Sequence, residues 1–135
     1  MASVSYSPSL AVVADVVQRA IIRWPAERCR IERGAALLAS GAVSPLTPVS
    51  YGVRSATDAG VVYAVTISGC TCRDAERLGP SSACKHRWAT DLLAIATERQ
   101  KRLDRAAEEQ ARRARWTADT VALAYARSVG FGGLR

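Results

Sequence analysis

Three of the four cysteines and the only histidine lie between positions 70 and 86, arranged as Cys70-x-Cys72, eleven intervening residues, then Cys84-x-His86. Thiolates and an imidazole are soft and borderline donors. Zn²⁺ takes them at ~2.3 Å for sulfur and ~2.0 to 2.1 Å for nitrogen, in a tetrahedron that structural sites fill with four protein ligands. Residues i and i+2 at the end of a strand project to the same side, so Cys70 and Cys72 can form one edge of that tetrahedron. Cys84 and His86 can supply the opposite edge from the start of a following helix. The expected cofactor is one structural Zn²⁺, and its three thiolates leave a net charge that Arg73, Lys85 and Arg87 are placed in sequence to offset.

Cysteines also serve as small apolar core residues. Cys70-Thr71-Cys72 sits in a polar, turn-rich stretch, a poor place to bury thiols for packing alone. Cys29 stands apart and reads as a core or boundary residue of a helix. No second set of acid, base and nucleophile accompanies the cluster, and the H-x-E with P-C-x-x-C pattern of zinc deaminases is missing. Four protein ligands leave no position for an activated water, so the expectation is a protein that is not an enzyme.

Several elements must position these ligands. Ser7-Pro8-Ser9 offers a cap and a first-turn proline for a helix from about Ser9 to Trp24, with apolar residues at Val13, Val16, Val17, Ala20 and Ile21. After Pro25 a second helical pattern runs through Ile31, Ala35 and Leu38 to a stop at Gly41, and the two helices should form a hairpin. Gly41 to Pro48 reads as a connecting loop. Val49–Arg54 and Val61–Ser68 have the β-branched and aromatic content of strands, joined by a polar turn, and the second strand leads toward Cys70. The segment from Arg73 to Ala83, with Gly79-Pro80-Ser81-Ser82, should loop back so that Ser81 or Ser82 caps a third helix. That helix begins near Cys84 or Lys85, buries Trp88, Leu92, Ile95 and Ala96, and loses its apolar stripe after Leu103. Thr117–Val129 reads as a further helix closed by Gly130, followed by a loose tail, 131–135. The expected class is α+β: an N-terminal helical hairpin, a β-hairpin plus helix, and a long C-terminal helical segment. The regions would be 1–48, 49–96 and 97–135, within one compact unit with a helical tail.

The string Tyr63-Ala64-Val65-Thr66-Ile67-Ser68-Gly69-Cys70-Thr71-Cys72, followed by Cys84-Lys85-His86-Arg87-Trp88-Ala89, resembles a SWIM zinc finger in the form found in small stand-alone proteins. That family is defined by C-x-C, a variable spacer and C-x-H on a strand, strand, helix frame. The resemblance covers roughly Tyr51 to Ala96, about a third of the chain. It implies a structural zinc on Cys70, Cys72, Cys84 and His86. It also implies a role in binding DNA or proteins, as in the transposases, helicases and recombination regulators that carry such modules.

The chain has 135 residues, 49% apolar and 23% charged, with a net charge of +7. Five basic side chains face three acidic ones in residues 1–48, five face four in 49–91, and nine face five in 92–135. The excess therefore falls in the C-terminal third, where Arg112-Arg113-Ala114-Arg115-Trp116 could grip phosphates and stack a base. Arg99, Lys101, Arg102 and Arg105 extend that strip, and Lys85 and Arg87 would join it from the finger. The leading expectation is thus nucleic-acid binding, DNA or RNA, either alone or as an accessory subunit of a larger nucleic-acid complex. Against it, Glu98, Asp104, Glu108 and Glu109 interleave with these cations and can pair with them at i to i+4. The alternative is a protein-interaction adaptor using the apolar face around Leu123 and Tyr125. No run approaches the ~18 apolar residues of a membrane span, and no signal-peptide pattern opens the chain. A cytoplasmic protein is expected, with no membrane and no small-molecule substrate as partner.

Overall fold

A computed structural model describes residues 7–58, 60–79 and 82–130. The fold is α+β. Helices α1 (Leu10–Arg23) and α2 (Arg28–Ala39) are joined by a 3₁₀ turn, Pro25–Glu27. Four strands follow, β1 (Val43–Thr47), β2 (Ser50–Arg54), β3 (Val62–Thr66) and β4 (Gly69–Cys70), then a short helix α3 (Arg73–Leu78) and a long one, α4 (Lys85–Gly130). The chain divides into two units between Gln100 and Lys101. The first holds α1 to α3, the sheet and the start of α4.

Local chemistry accounts for the first two helices. Ser9 caps α1 by accepting the Val12 amide, so Pro8 precedes the cap and does not occupy the first turn. Trp24 closes α1 and leans on Trp88, ring centroids 5.4 Å apart. Gly41, with φ +70°, ends α2 in the left-handed region that favours glycine.

The sheet is antiparallel in the order β1-β2-β3-β4, and it is larger than the expected hairpin. Gly41 to Pro48 contains a strand as well as a connection: Val43, Ser44 and Pro45 pair with Val53, Gly52 and Tyr51. Pro45 is compatible with that place because β1 is an edge strand, where a missing backbone donor is tolerated. The strand read as Val61–Ser68 ends at Thr66. The chain reverses at Ile67-Ser68, and Gly69, at φ +148°, starts β4, whose Cys70 pairs with Val65.

Two apolar clusters join the layers. Val12, Val16 and Ala20 of α1 meet Ile31 of α2 and Trp88, Leu92 and Ala96 of α4. Leu37 and Ala42 meet Val53 and Val65 of the sheet and Ala89 of α4. The start of α4 therefore belongs to both clusters. Ile95, expected on the buried face, is exposed, and so is Cys29, which has no core role.

In the second unit the described residues form one continuous helix, not two. Between Lys85 and Gly130 there is no Gly or Pro to break it, and Ala, Arg, Glu and Gln dominate its middle. Thr117, read as a new start, instead donates its hydroxyl back to the Arg113 carbonyl, and Thr120 does the same to the Trp116 carbonyl. From Lys101 to Gly130 every residue except Asp104 is exposed. The tail 131–135 and Ser81, one of the two expected caps, lie outside the described residues. Among those residues no helix is long and apolar enough to cross a membrane.

Candidate metal centre

Each ligand is set by a different backbone device. Cys70 occupies the short edge strand β4. It is held there by Thr71, whose amide donates to the Ala64 carbonyl (3.1 Å) while its hydroxyl accepts the Ala64 amide (3.1 Å). The side chain of Thr71 thus completes a ladder that its backbone leaves. Cys72 is the N-cap of α3, its sulfur accepting the Ala75 amide at 3.4 Å. The expected loop after Cys72 is therefore helical over Arg73–Leu78, and Gly79 at φ +72° terminates it.

Cys84 immediately precedes α4. Its carbonyl accepts the Trp88 amide and its sulfur accepts the Arg87 amide at 3.5 Å. The cysteine does what a serine cap would do. His86 follows one residue into α4, 2% exposed, with Tyr63 of β3 against its ring at a centroid distance of 4.5 Å.

These devices bring the four side chains together. The donor atoms of Cys70, Cys72, Cys84 and His86 all lie within 4.8 Å of one another. His86 Nδ1 is 3.9 Å from Cys70 Sγ and 4.0 Å from Cys84 Sγ. Cys72, Cys84 and His86 are buried and Cys70 is half-buried.

The three thiols perturb one another. The mutual influence of Cys70 and Cys84 is the largest on both: it lowers the Cys84 thiol, as His86 and the Arg87 amide also do, and raises the Cys70 thiol. Burial raises Cys72 in turn, against the Ala75 amide that lowers it. Sulfurs this close cannot all ionise without a positive charge between them. Nδ1 is the nitrogen of His86 that faces the Cys70 and Cys84 sulfurs, while Nε2 is buried with no hydrogen-bond partner. Three sulfurs and one imidazole in this arrangement can hold one metal ion, and the donor set fits a closed tetrahedral site.

The basic residues singled out by sequence are dispersed. Arg87 lies 3.9 Å from Asp91 and lines a hollow over Cys70 and Cys84 together with Glu76. Arg99 pairs with Asp15 of α1 at 2.8 Å. In the second unit Arg113 pairs with Glu109, and Arg105 donates to the Lys101 carbonyl. Arg112, Arg115 and Trp116 share one shallow face with Arg105, Glu108, Glu109 and Asp119, three cations against three carboxylates. Arg102 is exposed. Lys85 lines a different cleft, with Arg33 and Arg54.

Sequence reasoning passed over Gly34. A Cβ there would stand 2.8 Å from the Lys85 carbonyl and 2.9 Å from the Ala89 amide, so the glycine lets α2 lie against the ligand-bearing end of α4. A glycine inside a helical pattern was the available signal. Comparison of the chain with protein families, curated proteins and solved structures finds no match.

Proposed function

We propose that Cys70, Cys72, Cys84 and His86 hold one structural Zn²⁺ in a SWIM-type finger, and that the protein is a zinc-stabilised, non-catalytic module that binds nucleic acid. The observation that carries the metal reading is the convergence of four donor atoms within 4.8 Å at the junction of β4, α3 and α4. Zinc matches the donor set, and four protein ligands leave no open position for chemistry. In small finger peptides such a site contributes on the order of 10 kcal/mol of folding free energy.

The nucleic-acid half of the reading is supported by the net charge of +7 and by the SWIM-like spacing. Metal analysis of the purified protein should find one zinc per chain. Titration of the zinc-loaded protein into labelled DNA and RNA should show binding that weakens steeply with salt. A metal-free, fully folded protein would refute the first half, and no binding to any probe the second.

An adaptor role is favoured by one feature. Ala114, Thr117, Ala118, Val121, Ala122 and Tyr125 form a continuous, almost wholly apolar face on the second unit, and such helical faces commonly receive another helix.

A further inference from the structure

We propose that the phosphate-binding surface of this protein is a basic cleft in the first unit, formed by Arg33 of α2, Arg54 of β2, Arg77 of α3 and Lys85 of α4, and that it takes a nucleic-acid backbone. The inference rests on the nucleic-acid reading above and assigns it a site other than the arginine strip of α4.

Two adjoining hollows make up the cleft. One, of about 530 Å³, is lined by Arg33, Arg54 and Lys85 together with the hydroxyl residues Ser40 and Ser55. The other, of about 260 Å³, shares Arg33 and Lys85 and adds Arg77, Arg30 and Asp74. Arg30 is engaged with Glu27 at 2.9 Å. The remaining four cations face a single carboxylate, Asp74. Among the described residues, none of the four has a carboxylate within ion-pair distance.

The balance decides between the two candidate surfaces. On the α4 face around Arg112 and Trp116, three cations meet three carboxylates, and a phosphate approaching it meets little net field. In the cleft the excess is about three charges, converging from four elements on a concave surface where field lines focus. One N–H of Arg54 is tied to the Gly41 carbonyl at 3.2 Å, which steadies the guanidinium and leaves its other donors for a ligand.

The metal centre and the cleft share their supports. Lys85 lies between the ligands Cys84 and His86, and Arg77 sits on the helix that Cys72 caps. Gly34 holds α2 against the Lys85 carbonyl, which places Arg33 beside Lys85. A structural ion that fixes α3 and α4 therefore fixes two of the four cations, and this connects a non-catalytic metal to binding.

The test is fluorescence anisotropy of the zinc-loaded full chain with labelled single-stranded DNA, duplex DNA and duplex RNA, over a range of salt. Arg33→Gln with Lys85→Gln should weaken binding about tenfold or more and flatten the log K against log salt slope by about 2. Arg112→Gln with Arg115→Gln should leave it within about twofold. Each variant is checked for zinc content. If the Lys85 change disturbs the metal, Arg54→Gln with Arg77→Gln carries the same expectation. Wild-type binding that the cleft variants leave within about twofold overturns the cleft and spares the nucleic-acid reading. No wild-type binding to any probe overturns both. Displacement of the probe by submillimolar inorganic phosphate or mononucleotide, or by polyglutamate as readily as by unlabelled nucleic acid, overturns the assignment to a nucleic-acid backbone.

Discussion

Gly34 on α2 lies so close to Lys85, the first residue of α4, that a Cβ on the glycine would stand 2.8 Å from the Lys85 carbonyl oxygen. Atoms of that kind do not approach so closely, and the neighbour is backbone that cannot swing aside. The contact sets how near α2 comes to the turn that carries Cys84 and His86.

Gly34→Ala is expected to destabilise the zinc-loaded protein by about 1 to 3 kcal/mol, the cost of overpacking. In an exposed helix the same change stabilises by up to ~1 kcal/mol, so the sign of the effect reads the contact directly. Urea unfolding followed by circular dichroism measures it, and a stabilised variant would show that the two helices are free to separate.

Replacing a ligand should remove the ion. Cys72→Ser and His86→Ala are each expected to drop zinc from one per chain to a small fraction of that, and to lower the unfolding temperature. Trp88 and Leu92 of the same helix still pack on α1 and α2, so the helical layer should keep much of its circular dichroism. Full zinc retention in either variant would contradict the ligand set.

Thiol reactivity separates the cysteines. Cys29 is exposed and lies outside the cluster, so an aromatic disulfide reagent should titrate one thiol rapidly in the zinc-loaded protein. Metal ligation and burial protect the other three. A strong chelator should bring all four into reaction. Rapid reaction of two or more thiols before chelation would mean that the ligands are not engaged.

Truncation after Gln100 should leave zinc content unchanged and the unfolding temperature within a few degrees. Residues 101 to 130 are exposed except for Asp104 and contribute no side chain to either apolar cluster. Helical circular dichroism should fall in proportion to the residues removed. A large loss of stability would reveal packing by the second unit.

Much of this protein follows from local rules. The four residues of the candidate metal cluster are legible because metal chemistry restricts residue type and spacing so tightly that Cys70-x-Cys72 and Cys84-x-His86 stand out unaided. The first two helices are legible because Ser9, the 3.6-residue apolar period and Gly41 are short-range signals that need no partner. The α+β class follows from the change of period after Gly41.

Other features depended on residues distant in the chain. Whether Val43–Thr47 is strand or loop is decided by hydrogen bonds to β2, and its proline and mostly exposed side chains give no local sign of them. The reversal at Ile67-Ser68 is set by β4 pairing with β3, so a run that reads as one strand to Ser68 ends early. Cys72 and Cys84 act as helix caps through sulfur, a role that residue type does not announce. The cleft of Arg33, Arg54, Arg77 and Lys85 is spread over positions more than fifty residues apart. The clustered arginines of 112 to 115 drew attention in sequence, yet helix geometry lays Glu108, Glu109 and Asp119 on the same face. Charge along a chain is one-dimensional, but a phosphate meets a surface, and only the folded arrangement determines which cations share it without carboxylates.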